Sequence, residues 1–270
     1  PNEDEYILMG MSAYGDYRQH YHHIKETFFE LGPHDHWQFP NVKFKQNLHR
    51  GCRWYREGYT KWTDKLNIAA ATQNIYEEIL SGLVQYCKST YKSNNLVIMG
   101  GCALNCKANS RAHNHYDNVW IMPNPGDAGS SIGAVLALKE KHIQWKSPYL
   151  GYDIPGEYPV DDIFRELKDT GIVGVANGKA EFGPRALGNR SLLADPRGKE
   201  MKDKVNAIKK RQRYRPFAPV VLAEHAEKIF YGPTGPYMQY TSICRKSDEY
   251  PAIAHTDKTS RVQTVSKKDN

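Results

Sequence analysis

Two consecutive segments decide the fold: 96–115, LVIMGGCALNCKANSRAHNH, and 119–142, VWIMPNPGDAGSSIGAVLALKEKH. Each opens on a four-residue apolar run, Leu96–Met99 and Val119–Met122, that ends at a turn and feeds a stretch beginning with small residues. Short apolar runs bounded by Gly and Pro read as buried strands, and the segments after them read as helices. Apolar strands that feed helices imply a parallel or mixed sheet covered by helices, so the fold class is α/β. Gly100-Gly101 in one turn and Pro125-Gly126-Asp127 in the other let a ligand approach the backbone, where helix N–H groups meet phosphate or ribose oxygens. Neither turn is a GxGxxG or Walker loop, which excludes the usual dinucleotide and P-loop readings. Asp127 stands at the carboxyl edge of a strand, where α/β sheets bind ligands. Spacing leaves it open as a metal ligand, a ribose contact or the N-cap of the helix from Ala128 onward.

Upstream, Ile68, Thr72, Ile75, Ile79 and Leu83 recur at three and four within 66–88, which predicts a helix with one stripe on a core. Residues 1–64 are aromatic, irregular and rich in His20, His22, His23, His34 and His36; without companion carboxylates they read as a solvent-facing helix and loop rather than a metal site. Downstream, the proline-bearing stretch 143–160 reads as a linker. VDDIFRELKDTGIVGVANG then reads as helix, strand and a turn at Gly178.

The charge is concentrated further on. The chain carries 37 Lys/Arg against 30 Asp/Glu, a net charge of +7, and Lys179–Arg215 alone holds twelve basic and four acidic residues. The rest of the chain is therefore close to neutral, and the basicity is local, as for an anion site. Arg185, Arg190 and Arg197 are read in loops. Asp195-Pro196 reads as an N-cap and first helical residue, and Met201, Val205 and Ile208 as the buried face of the helix that follows. That helix delivers Lys209 and Arg211, before Arg215-Pro216-Phe217; arginine forks and a lysine point charge suit phosphate oxygens. In the tail, His255 and Arg261 read as ligands for a small anion, and no GxSxG supports a Ser/His/Asp reading. Five cysteines with no CxxC read as reduced thiols, and Cys102-x-x-x-Cys106 as packing rather than metal. No apolar run approaches the ~20 residues of a membrane helix, and the reading places the protein in the cytoplasm.

LVIMGGCALNCKANS, PNPGDAGSSIGAVLAL, GKAEFGPRALGNRSLLADPR, IKKRQRYRPFAP and HTDKTSRVQTV resemble, in this order, signatures of the NodU/CmcH-type O-carbamoyltransferases, and EYILMGMSAYGD resembles that family's early segment. The resemblance covers essentially the whole chain. It implies the second half of an actin-like (ASKHA) domain in 1–148, a linker in 149–160 and an incomplete YrdC-like domain in 161–270. It implies that the YrdC-like module makes carbamoyl-adenylate from ATP, carried with Mg, and carbamoyl phosphate. The actin-like module then moves the carbamoyl group to a hydroxyl of a small-molecule acceptor such as a sugar or antibiotic precursor. By the same resemblance Lys209, Arg211 and Arg215 hold ATP phosphates. Arg185, His255 and Arg261 act on carbamoyl phosphate or the adenylate, Gly100, Gly101 and Asn105 contact the adenylate, and Asp127 binds a metal ion, iron. Lys179, Gln212 and Lys258 depart from the family's usual Arg, Glu and Gly. The family's HxxxH metal motif has no match, so the reading expects an internal piece of a longer chain, inactive alone. Carbamoylation of a hydroxylated nucleotide or DNA base, tRNA threonylcarbamoyl modification and a nucleic-acid-binding module are the alternatives; the last is disfavoured by the compactness of the basic stretch.

Overall fold

The computed structural model describes residues 4–48, 51–52, 58–59 and 61–266. The chain divides into two compact units, Pro1–Leu96 with Lys107–Val119, and Val97–Cys106 with Trp120–Asn270.

The first unit is built on one long helix. Helices α1 (Glu5–Met11) and α2 (Tyr21–Phe28) pack along α3 (Trp62–Thr90), and strands β1 (Phe29–Glu30) and β2 (Lys43–Phe44) form an antiparallel pair. The core joins Ile24, Phe28 and Phe29 to Ala71 and Ile75, with Ile68 and Ile79 half-buried against it. The expected stripe is therefore present, but alanines 69–71 and the polar Gln73 and Glu77 are buried as well. Small residues let neighbouring backbone approach, and the buried carboxylate is answered: Glu77 accepts from Gln73 Nε2 at 3.0 Å and forms an ion pair with Arg111. His20, read as solvent-facing, is buried.

The boundary between the units runs through β3 (Asn95–Ile98) and β4 (Asn118–Ile121), neighbours in one sheet and each within a residue of its predicted limits. After β3 the expected helix is broken into a 3-10 turn at Gly101–Leu104, a single α turn, α4 (Cys106–Asn109), and a further 3-10 turn at Ser110–Asn114. After β4 the expected helix forms as α5 (Ser130–Lys139), apolar from Ile132 to Leu138, with none of its residues buried within this chain.

In the second unit, β5 (Tyr149–Ile154) pairs antiparallel with β7 (Gly178–Glu181), and β6 (Ile172–Ala176) pairs antiparallel with β8 (Arg190–Ala194). β5 lies inside the stretch read as a linker: Pro148 and Pro155 bracket the strand rather than interrupt it, so its ladder survives. Arg190 stands in a strand, not a loop. Its guanidinium donates to the carbonyls of Asn177, Asn189, Tyr152 and Gly178 at 2.8–3.1 Å, which makes it a brace for the sheet. Helix α6 (Val160–Asp169) precedes β6 as predicted. α7 (Met201–Ile208) begins six residues beyond Asp195, which does not cap it: the Asp195 carboxylate is taken by the backbone and guanidinium of Arg197. Met201 and Val205 bury against Ile172, Leu192 and Phe217, but Ile208 is 58% exposed. The chain reverses at Lys210 (φ +49°) and the following loop folds back beneath Asn206, which is buried instead. β9 (Val220–Leu222) and β13 (Gln263–Val265) pair in parallel, and β10 (Phe230–Tyr231), β11 (Ser242–Cys244) and β12 (Thr259–Ser260) form an antiparallel sheet over Phe230, Cys244, Ile253 and Val262. The result is a mixed α/β chain. Among the described residues, no helix is long and apolar enough to cross a membrane.

Candidate functional site

The second unit gathers the basic residues that the sequence scatters over 77 positions, Arg185 to Arg261. Arg185 rides on the loop between β7 and β8. One oxygen of Glu181 accepts the backbone N–H groups of Leu187, Asn189 and Arg190 at 2.7, 3.0 and 3.3 Å, and Gln263 and Tyr149 both donate to the Leu187 carbonyl. Gly183 (φ +150°) closes the loop against the Pro123 carbonyl, which a Cβ would meet at 2.7 Å. Held this way, Arg185 reaches the Leu104 carbonyl (3.4 Å) and lines a small cavity with Leu104, Ile121, Met122 and Met238.

The other cations face it electrostatically. Burial, then the charge of Arg261, pulls the Arg185 guanidinium down to about 10. Burial also lowers Arg261, with Arg215 adding to the shift and the Cys106 thiol opposing it; its Nε is sealed from solvent without a hydrogen-bond partner. Arg211 is drawn down to about 10 by burial, Arg215 and Arg261, and Lys209 is lowered by burial, Arg211 and Arg215. Among the described residues, no ion pair joins Arg185, Lys209, Arg211 or Arg261 to a carboxylate. Half-buried cations that repel one another and lack a protein counter-charge make a site that an anion stabilises.

The two glycine turns meet beside this cluster's Leu104 contact. Gly100 (φ +97°) donates to the Pro125 carbonyl at 2.8 Å, and a Cβ on Gly126 would lie 3.8 Å from Gly101 Cα. The positions where Gly100 and Gly101 would carry a Cβ open onto free space. Asn105 is half-buried one residue beyond Leu104, its N–H on the Cys102 carbonyl. His255 lies on the turn before β12, its Nδ1 accepting from the Thr256 N–H at 2.7 Å. Lys258 in that turn takes a left-handed φ of +61°, the conformation glycine adopts most readily.

Asp127 is exposed and is not a cap: it opens a 3-10 turn, Asp127–Gly129, whose N-cap is Gly126, and Gly129 is the N-cap of α5, neither with a side-chain capping bond. Among the described residues, no group of three His, Cys, Asp or Glu side chains could hold a metal ion. The described residues do not by themselves complete a metal centre around Asp127. Arg197, paired with Asp195 and largely exposed, also stands outside the cluster.

Sequence reasoning did not single out Glu181 or Asn206. Glu181 lies inside a quoted motif, but its function is to hold backbone, which composition does not reveal. Asn206 stands beside Val205 on a helix read only for apolar spacing.

Against known proteins, residues 1–136 match the sequence family described as carbamoyltransferase N-terminus, and residues 164–270 match carbamoyltransferase C-terminus. The chain belongs to the carbamoyltransferase family. This carbamoyltransferase-family chain is similar to nodulation protein NolO of Bradyrhizobium diazoefficiens, 32% identical over 303 residues, covering 99% of this chain and 55% of the relative. It is similar to 3'-hydroxymethylcephem-O-carbamoyltransferase of Amycolatopsis lactamdurans, 32% identical over 280 residues, covering 96% of this chain and 52% of that one. Nodulation protein U of Bradyrhizobium diazoefficiens is 40% identical over 193 residues, covering 64% of this chain and 34% of the relative. This carbamoyltransferase-family chain thus spans about half the length of the first two.

Proposed function

We propose that the chain belongs to an O-carbamoyltransferase and contributes its ATP- and carbamoyl-phosphate-binding surface. The single observation that carries this reading is the cluster of Arg185, Lys209, Arg211, Arg215 and Arg261, held together without a carboxylate on the first two, Arg211 or Arg261. In this reading Lys209, Arg211 and Arg215 hold the phosphates of ATP, which arrives with Mg. Arg185, Arg261 and His255 hold carbamoyl phosphate and the carbamoyl-adenylate. Phosphate leaves carbamoyl phosphate as water adds, and a carbamate oxygen then attacks the α-phosphorus of ATP while pyrophosphate departs. Both leaving groups carry charge that fixed guanidiniums stabilise in place. The open backbone of Gly100 and Gly101, with Asn105, receives the adenylate. A hydroxyl oxygen of the acceptor finally attacks the carbamoyl carbon and AMP leaves. The Amycolatopsis relative's printed name supports a hydroxyl acceptor. An actin-like fold for the first part of the chain and a YrdC-like fold for the last belong to the same proposal, as does Asp127 as one ligand of an iron site completed elsewhere.

The test is calorimetric titration of the purified chain with Mg-ATP, with and without carbamoyl phosphate, beside Arg211→Ala. Saturable binding that Arg211→Ala weakens at least tenfold is the expected result. A folded chain that binds neither ligand refutes the assignment of this cluster.

A further inference from the structure

A single buried amide stands under the arginine loop. Asn206, in the last turn of α7, is wholly buried. Its Nδ2 donates to the main-chain carbonyls of Arg213 at 3.1 Å and Arg215 at 2.8 Å. Its Oδ1 accepts from Arg211 Nε, and its own main-chain carbonyl accepts the Arg211 N–H at 3.0 Å. A carboxamide offers two N–H donors and an acceptor oxygen. Here both kinds of group are used, and every bond falls on the segment 211–215. Aspartate would keep the bond to Arg211 and lose both donations, and alanine would strip two carbonyls and one guanidinium of their partner. The Arg211 guanidinium also lies 5.6 Å from the centre of the Phe217 ring, so one face is covered and its Nε edge is taken. The Nη edge is what remains for a ligand.

We infer that Asn206 is a positioning residue. It fixes the fork of Arg211 and the course of the backbone between Arg211 and Arg215, so the Arg211 guanidinium is ordered before an anion arrives. Ordering a long side chain upon binding costs affinity, and a buried amide that orders it in advance removes that cost. For its ligand, a nucleotide triphosphate, the inference rests on the function proposed above; for its geometry it does not.

The test has two arms on the purified chain, with folding checked by circular dichroism. In the first, the Arg211 Nε–H resonance is followed by 15N NMR. It is expected to be shifted and slow to exchange in the parent, lost in Asn206→Ala and retained in Asn206→Asp. An unchanged resonance in folded Asn206→Ala overturns the inference. Where Asn206→Ala does not fold, loss of the resonance in folded Asn206→Asp overturns it. In the second arm, Asn206→Ala is expected to weaken Mg-ATP binding roughly tenfold in the parent and less than about twofold when added to Arg211→Ala. Equal losses in the two backgrounds overturn the inference, because a merely structural asparagine acts alike in both. A parent that binds no ATP refutes the proposed function, and the resonance then decides the positioning claim alone.

Discussion

Glu181→Ala should loosen the loop that carries Arg185. One Glu181 oxygen accepts three backbone N–H groups, at 2.7, 3.0 and 3.3 Å. A hydrogen bond to a charged acceptor contributes about 1.5–3 kcal/mol when well formed. Two of these are short and the third is long, and the half-buried site lets water replace part of what is lost. The expected destabilisation is therefore about 3 kcal/mol, well below the sum of three full bonds. Glu181→Gln leaves a neutral oxygen in the same place and should recover about half of that. Urea unfolding followed by circular dichroism reads both, with an unchanged slope against denaturant showing that the folded state is the same. Binding of carbamoyl phosphate should weaken in Glu181→Ala and recover in Glu181→Gln. A loss under about 0.5 kcal/mol for Glu181→Ala, or equal losses for the two variants, would refute the idea that this oxygen organises the loop.

Lys258→Gly should stabilise the chain by about 1 kcal/mol, because φ is +61° there and the two backbone bonds of residue 258 are kept; a lower melting temperature counts against it. Val205→Ala should cost about 2 kcal/mol and Ile208→Ala less than about 0.5, since the first is 2% exposed and the second 58%; equal costs by urea unfolding would contradict the burial pattern. The Arg197 side chain holds the Asp195 carboxyl below the usual range. A depressed folded-state carboxyl contributes stability above its unfolded value, about 4, and loses it as pH falls through the lowered one. The deficit of Arg197→Ala should be present at pH 7 and shrink as pH falls below the unfolded carboxyl value of about 4, and melts in which it stays constant across that fall would disprove the linkage.

Much of this was legible in the chain itself. Apolar runs that end at a turn before small residues announced β3 and β4, since four apolar residues between breakers have few other uses. The long helix was announced by its stripe, and the anion site by charge set among Gly and Pro. Local signals failed where a distant partner decided the outcome. Asp195 has the identity of a cap, but Arg197 two residues on claims its carboxylate before a helix can. The proline-bearing stretch before Val160 looked structureless because the ladder that orders it is supplied by Lys179 and its neighbours, some 25 residues later. Ile208 sits on the predicted face, yet the returning loop covers Asn206. Glu181 and Asn206 were passed over because both act on backbone amides and carbonyls, which every residue possesses and no composition marks.

Gly183 stands so close to the Pro123 carbonyl that even a methyl group would not fit between them. A missing methyl group there acts as a gauge block, setting the gap between two segments sixty residues apart in the chain. Gly183→Ala would reset that gap without touching any charge. It therefore offers a displacement control for the arginine loop, separating how far Arg185 stands from its neighbours from whether Arg185 is there at all.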